Sequence, residues 1–220
     1  MNQILHSLSS LGCNFILYKQ GLEADPEKTI IEVLDYFWID KKIFSMAVGL
    51  LRYRIHHLIN LKRLWLLSED LDEDHKAVLA VLTLKISKFT GDERYLHFSK
   101  KLRFKKIKIN DYPKKYSDPF YIQRKGIDKD FKLLKVTVAD FFSDQPERKF
   151  KTLKNIYSSN KWLRIRAIVG PEYRADTLYL TSSGKACSQA DVVSILGCNK
   201  SSISRIWSSL GDMESLLEFV

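Results

Sequence analysis

The stretch SQADVVSILGCNKSSISRIWSSL, residues 188–210, decides how the C-terminal part of this chain folds. Ser188 and Asp191 have the spacing of a capping box, which predicts that a helix begins there. Apolar residues continue at helical spacing up to Leu196. Gly197 then stands where the helix ends, because glycine adopts a left-handed backbone conformation without steric cost.

A second short helix is predicted directly after a turn at residues 198–200. Ser201 is the predicted N-cap of this helix. Its apolar side is formed by Ile203, Ile206, Trp207 and Leu210. Two short capped helices that are joined by a tight turn form a helix-turn-helix.

The segment resembles the helix-turn-helix of bacterial transcriptional regulators, of the winged-helix type. That family keeps apolar residues at fixed spacings around a turn glycine, which is Gly197 in this chain. The apolar positions are occupied by Val192, Leu196, Cys198, Ile203 and Ile206. Val193 departs from the family, which prefers a small residue such as Ala there. The resemblance extends at most from Trp162 to the C-terminus, and it implies a regulator that binds double-stranded DNA sequence-specifically.

In such domains the second helix of the pair lies in the major groove. We therefore expect DNA contacts from the polar side chains that lie on or beside this helix. These are Lys200, Ser201, Ser202, Ser204, Arg205, Ser208 and Ser209. Arg205 is the expected main reader, because no other side chain there can contact guanine through two hydrogen bonds. The helix N-termini at Ser188 and Ser201 offer backbone N–H groups to phosphates.

Ahead of this region, apolar residues recur at helical spacing through most of residues 1–104. The part from Lys41 to about Ser68 is predicted as the longest periodic helical element, with Arg63 on its polar side. The acidic residues 69–74 predict the start of another helix, because acidic side chains complement the helix dipole there. Four or five helices with short connections indicate an α-helical bundle.

The predicted fold class is mainly α, in three parts. Residues 1–104 form the helical bundle, residues 105–160 a basic connecting segment, and residues 161–220 a three-helix helix-turn-helix domain. The first helix of that domain is predicted at Glu172–Thr181. Only Asp212–Val220 remain for a wing, which is enough for one strand, so either the wing is reduced or the domain is a plain three-helix domain. Within the connecting segment, the apolar pattern of Phe131–Phe142 fits either a helix or a buried strand.

The positive charge of the chain is concentrated in its middle. Residues 100–160 hold 17 Lys and Arg against 7 Asp and Glu, while the whole chain has a net charge of +10. A polyanion would therefore meet this segment first. Additional DNA contacts are predicted at Lys100, Lys101, Arg103, Lys105 and Lys106. The alternative is a solvated connector whose aromatic side chains fold back onto the bundle.

Other function classes find little support in the sequence. Three scattered cysteines lack metal-ligand spacing and are typical of reduced thiols in a cytoplasmic protein. No phosphate-binding or dinucleotide-binding glycine motif is present, so no cofactor and no metal are expected. Apolar runs are too short for a membrane span. The expected partner is double-stranded DNA, with a second copy or another protein as candidates for binding to the bundle.

Two alternatives to DNA binding remain. One is a helical protein-interaction module without nucleic acid. The other comes from Arg52 and His57, whose spacing matches the loose Arg-x4-6-His pattern of the all-helical HEPN ribonucleases. In that family the Arg and His act on the phosphodiester. The main prediction is a protein that is not an enzyme.

Overall fold

The computed structural model describes residues 2–15, 23–102, 119–142 and 146–210. These ranges are mainly α-helical, as the sequence predicts, and they contain no β-strand. Extended pairing in them is limited to two isolated bridges, between Cys13 and Phe150 and between Ile127 and Ala139. Arg103, Lys105 and Lys106 lie outside the described residues, as does the predicted strand of the wing.

The N-terminal part contains seven α-helices within the described ranges. They are α1 (Asn2–Leu11), α2 (Pro26–Leu34), α3 (Tyr36–Ile39), α4 (Lys41–Leu50), α5 (Leu61–Glu69), α6 (Glu73–Thr90) and α7 (Glu93–Lys101). Helix starts follow side-chain caps, which satisfy backbone N–H groups that have no partner inside the helix. Such caps come from Asp25, Asp40, Asn60, Asp72 and Asp92. The acidic residues 69–74 thus lead into α6, as predicted.

The prediction of one long element from Lys41 to Ser68 is wrong. After α4 the backbone widens into a π-helical turn at Leu51–Ile55, narrows at His56–Leu58, and leaves the helix at Ile59. The break is fixed by Asn60, whose side chain caps α5 by accepting the N–H of Arg63 at 3.2 Å. The Asn60 N–H in turn donates to the Glu27 carboxylate at 2.8 Å.

The described residues between 119 and 160 pack onto the bundle. They include α8 (Pro119–Lys125), single 3-10 turns at Phe131–Leu134 and Glu147–Lys149, and α9 (Leu153–Ser159). Neither a helix nor a strand spans Phe131–Phe142, because only the 3-10 turn is helical and the backbone then becomes extended. Buried Lys85 of α6 holds this region through ion pairs to Asp128 at 2.7 Å and Asp130 at 3.0 Å.

Apolar side chains form two clusters. The larger contains residues of α1 to α7 together with Phe131, Phe142, Phe150 and Ile156. The described part of the predicted connecting segment therefore contributes to the first core. The smaller cluster runs from Trp162 to Leu210 and includes a contact from Leu66 of α5. The boundaries at residues 104 and 160 stay a prediction.

Four helices complete the described chain. They are α10 (Lys161–Val169), α11 (Tyr173–Ser182), α12 (Gln189–Leu196) and α13 (Lys200–Trp207). The Ser188–Asp191 capping box is present, and Gly197 is left-handed with φ of 70°. The predicted N-cap at Ser201 is wrong, because the N–H of Ser202 already donates to the Asn199 carbonyl and Asn199 precedes the helix. The helix also ends at Trp207 instead of Leu210.

Candidate nucleic-acid interface

The α12–α13 pair has a complete apolar core. Val192, Leu196 and Ile203 are fully buried, and Cys198 in the turn is 5% exposed. Ile206 is half-buried and packs against the same cluster. From α11, Ala175, Leu178 and Tyr179 complete the core, in agreement with the sequence. Helix α13 packs on both α11 and α12. Its orientation around its own axis is therefore fixed by Ile203.

The opposite side of α13 is polar and open to solvent. The exposed side chains on or beside the helix are Lys200, Ser201, Ser202, Ser204, Arg205 and Ser208. Ser209 is half-buried, and its hydroxyl donates to the Ile206 carbonyl at 2.8 Å. The Ser208 hydroxyl donates to the Arg205 carbonyl at 3.0 Å. Six of the seven predicted contact residues from this region thus share an exposed surface.

Ser202 and Arg205 border a cleft of about 440 Å³, whose other walls come from α5 and from the start of α11. Lys62 of α5 and Glu172 face each other there in an exposed ion pair of 2.9 Å. Arg174 also lines this cleft. A cation of the bundle and a cation of α11 are therefore placed beside Arg205, although their sequence positions are remote from it.

Lys101, at the end of α7, reaches the same region from the bundle. It lines a neighbouring cleft together with Asn199 and Ser202. Its ammonium group lies 3.8 Å from the centre of the Trp65 ring, a cation–π contact. Lys100 is exposed on the last turn of α7. Of the predicted basic contacts, the structure brings Lys101 next to α13.

The N-terminus of α12 differs from the expected phosphate site. The Asp191 carboxylate accepts the backbone N–H groups of Cys187 at 2.9 Å and Ser188 at 2.8 Å. A hydrogen bond with the Ser188 side chain, together with these backbone hydrogen bonds, holds the pKa of Asp191 below its ordinary value. The carboxylate thus binds the N–H groups of Cys187 and of the N-cap Ser188, and its negative charge beside the first turn disfavours an anion, so we assign no phosphate contact to this end of α12.

A buried ionic network joins the helices that carry this surface to the bundle. Its first centre is Arg166 of α10, which donates to Glu27 of α2 at 2.6 and 2.8 Å. Arg166 also donates to Asp176 of α11 at 2.7 Å. Burial by itself lowers the pKa of Arg166, but the charges of Asp176 and Glu27 outweigh it and raise the pKa. The guanidinium is therefore permanently charged.

The second centre of the network is Arg63 of α5. It pairs with Asp25 at 2.5 Å and with Glu27 at 2.9 Å, and its side chain is fully buried. Asn60 donates to Asp176 at 2.9 Å, and the indole N–H of Trp162 donates to Asp176 at 2.7 Å. Arg63, which the sequence placed on the polar side of its helix, is buried there because these carboxylates surround it.

Sequence reasoning missed this network as a whole. The acidic partners Asp25, Glu27 and Asp176 each sit at or near the start of a helix, where a carboxylate is ordinary. One signal was available, since Arg164 and Arg166 both interrupt an otherwise apolar run from Trp162 to Val169. A cation inside an apolar run suggests a buried pair.

Of the two residues of the ribonuclease alternative, Arg52 lies in the π-helical turn and His57 in the 3-10 turn that follows it. The Arg52 guanidinium lies over the Phe89 ring at 4.3 Å and over the Tyr53 ring at 4.8 Å. His57 is exposed. Burial, then the nearby His56 and Arg94, lower the pKa of His57, which favours a neutral imidazole. A neutral imidazole can accept a proton, so the site is chemically able to act as a base.

The described residues contain no group of three or more His, Cys, Asp and Glu side chains that could hold a metal ion. Among the described helices, none combines the length and the apolar character needed to cross a membrane. No protein-family model, curated protein or solved structure matches this chain. The case for a function therefore depends on the geometry of the residues themselves.

Proposed function

We propose that this protein binds double-stranded DNA sequence-specifically through α13 and acts as a transcriptional regulator. The observation that carries the proposal is the two-sided character of α13. One side is anchored by fully buried Ile203, and the other presents Arg205 among short serine side chains to solvent. A helix held in this way can enter the major groove with its polar side toward the base edges.

Each exposed residue has a role that its chemistry supports. Arg205 reads guanine, because a guanidinium matches the O6 and N7 acceptors with two hydrogen bonds. Lys200 precedes Arg205 by more than one turn and contacts phosphate as a point charge. Lys62 and Arg174 flank Arg205 across the cleft and add phosphate contacts that the sequence did not indicate.

The buried network supports the proposal in a second way. Arg166 and Asp176 tie α10 and α11 to α2 of the bundle, so α13 is held in a fixed position relative to Lys62 and Lys101. A rigid support keeps contact residues in register with the DNA without an ordering cost on binding.

The decisive experiment is selection of bound sequences from a random duplex library, followed by titration of the selected site. Arg205→Ala should flatten the preference at one base position and cost about 1–3 kcal/mol of discrimination. Weak, salt-sensitive binding to random duplex should persist. Lys200→Ala should weaken all sequences alike, as loss of a phosphate contact does.

Arg124→Ala, an exposed arginine on α8, is the matched control and should leave the preference intact. Ile203→Asp should unfold the domain, because it buries a charge without a partner. Selection that enriches no sequence, with a folded protein by circular dichroism, would favour the protein-interaction module instead. Equal loss of selected and random binding in Arg205→Ala would reduce Arg205 to a phosphate contact.

A further inference from the structure

A second cleft lies between α5, α7 and the turn that precedes α13, and we name it the α5–α7 cleft. Its volume is about 430 Å³. Trp65, Phe98 and Tyr173 give it aromatic walls from three different elements. Lys62, Arg94 and Lys101 give it cationic groups. None of the described residues that line it is an aspartate or a glutamate.

The aromatic walls are ordered by their own contacts. Trp65 and Phe98 meet edge to face, with ring centres 6.0 Å apart. The Trp65 indole N–H donates to Glu69 at 3.1 Å, which fixes the plane of the ring. Tyr173 is half-buried, and burial, then Cys198, raise its pKa to about 12. The Tyr173 hydroxyl therefore stays protonated and can donate a hydrogen bond.

The cations differ in how far they are already neutralised. Arg94 pairs with Asp92 at 2.7 Å, and Lys62 pairs with Glu172 in an exposed contact. The exposed pair of Lys62 with Glu172 is worth at most about 1 kcal/mol, so Lys62 loses little by turning to another anion. Lys101 has no carboxylate partner within the described ranges and is held over Trp65. The cleft therefore combines a positive charge with an aromatic surface at one place.

We propose that the α5–α7 cleft binds a mononucleotide, with its phosphate near Lys101 and Lys62 and its base against the aromatic walls. A cleft of this volume lies within the range of small-ligand sites, about 300–1,000 Å³. Aromatic side chains stack on any base, and cations supply the phosphate contact. The Asn199 side chain makes no capping bond and lines the cleft, so its amide can contact a polar edge of the base.

Duplex DNA fits this cleft less well than a free nucleotide. Its bases are stacked inside the double helix, so an aromatic-walled cleft has no ring to receive. A free nucleotide presents ring and phosphate together. This inference does not depend on DNA binding by α13, and its test is made in the absence of DNA.

The test is isothermal titration of the full-length protein with adenosine 5′-monophosphate, together with its two halves, adenosine and inorganic phosphate. We expect saturable binding of one nucleotide per chain. Each half should bind at least about tenfold more weakly than the whole. Trp65→Leu and Lys101→Gln should each weaken nucleotide binding by about tenfold or more. Lys62→Gln, at an exposed position, should weaken it less.

Lys129→Gln is the matched control, because Lys129 is an exposed lysine outside the cleft. It should bind the nucleotide as the unchanged protein does. Circular dichroism checks each variant, and Lys62→Gln keeps the test valid if Trp65→Leu does not fold. Absence of saturable binding up to about 10 mM nucleotide would overturn the proposal. Phosphate that binds as tightly as the nucleotide would overturn it too, since the aromatic walls would then contribute nothing.

Discussion

The Arg166 side chain is fully buried, and its charge is compensated by three groups on three different elements. They are the Glu27 carboxylate, the Asp176 carboxylate and the Leu58 carbonyl, which accepts at 2.9 Å. Removing one member of such a buried set leaves its partners with buried charge that is no longer fully compensated. At the scale of the single residue, this is where the protein is most sensitive to change.

Arg166→Met should therefore lower the free energy of unfolding by about 3–5 kcal/mol, because Asp176 loses its cation and Glu27 keeps only Arg63 as a charged partner. Denaturant unfolding followed by circular dichroism measures this loss. Lys62→Ala, which breaks the exposed pair with Glu172, is the control and should cost at most about 1 kcal/mol. A loss in Arg166→Met no larger than in this control would show that the network does not stabilise the fold.

His75 provides a test of pH dependence at the residue scale. Its imidazole bridges Asp72 and Asp35, both at 2.8 Å. Burial lowers the pKa of His75, but its hydrogen bonds to Asp72 and Asp35 outweigh burial and raise the pKa above its ordinary 6.5. A raised pKa means that the folded state binds the proton more tightly. The resulting stabilisation is complete below pH 6.5 and is lost as the pH rises through the raised pKa.

Unfolding of the unchanged protein and of His75→Gln by urea at a series of pH values isolates this contribution. The difference between their unfolding free energies should be largest below pH 6.5 and shrink toward alkaline pH. Groups that do not contact His75, His56 and His57 included, cancel in that difference because both proteins contain them. A difference that is constant with pH would show that His75 gains nothing from protonation.

At the scale of the element, local signals predicted the ends of helices well. The capping box before α12 and the left-handed Gly197 after it follow from neighbouring residues, which the sequence displays directly. The break inside the region from Lys41 to Ser68 depends instead on Glu27, 33 residues away from Asn60. The helical spacing of apolar residues continues through the break, so the sequence predicted one long element. The structure instead has α-helical, π-helical and 3-10 segments there.

Gly12, which follows α1, illustrates a close approach between elements. Its φ is +127°, and a Cβ atom added there would lie 2.5 Å from Cδ1 of fully buried Ile156 in α9. Gly12→Ala should therefore destabilise the protein through both backbone strain and overpacking, by about 2–4 kcal/mol in total. Thermal and urea unfolding measure the change.

Gly91, which ends α6 with a φ of +74°, is the matched control for that substitution. Nothing lies within 4 Å of a Cβ atom added at Gly91, so Gly91→Ala carries the backbone strain without the overpacking. Ile156→Val in the Gly12→Ala background removes the offending methyl group and should recover part of the loss. Equal effects at Gly12 and Gly91 would show that the contact with Ile156 relaxes without cost.

At the scale of the whole molecule, composition suggested three consecutive parts. In the structure, residues of the middle part enter the core of the first, and a buried ion pair between Arg166 and Glu27 joins the third part to the first. The sequence predicted the mainly α-helical fold and the polar, exposed side of α13. It left open whether aromatic side chains of the connecting segment fold back onto the bundle. It did not indicate which helices Phe131, Phe142, Phe150 and Ile156 meet, because position along the chain says nothing about that. For the same reason it missed Lys62 and Arg174 beside Arg205. Residues 1–99 thus share a core with residues 131–163, and removing them would expose that core.

The contribution of the basic segment to DNA binding is therefore best tested by charge changes in the full chain. Each phosphate contact adds about −0.9 to the slope of log K against log salt concentration. Replacing Lys100, Lys101, Arg103, Lys105 and Lys106 by glutamine should make the slope shallower by about 0.9 for each contact that is lost. Filter binding of the selected duplex at a series of salt concentrations gives the slope.

Lys101→Gln alone measures the contribution of the one member of that set that lines a cleft beside α13. Because Lys101 lines a cleft with Ser202 of α13, it should account for about one contact by itself. Lys28→Gln and Lys42→Gln, at exposed positions of α2 and α4, are the controls and should leave the slope unchanged. If the fivefold variant keeps the slope of the unchanged protein while the controls behave as expected, the basic segment is a solvated connector. Phosphate contact would then fall to Lys62 and Arg174, which line one cleft with Arg205, and to Lys200 at the start of α13.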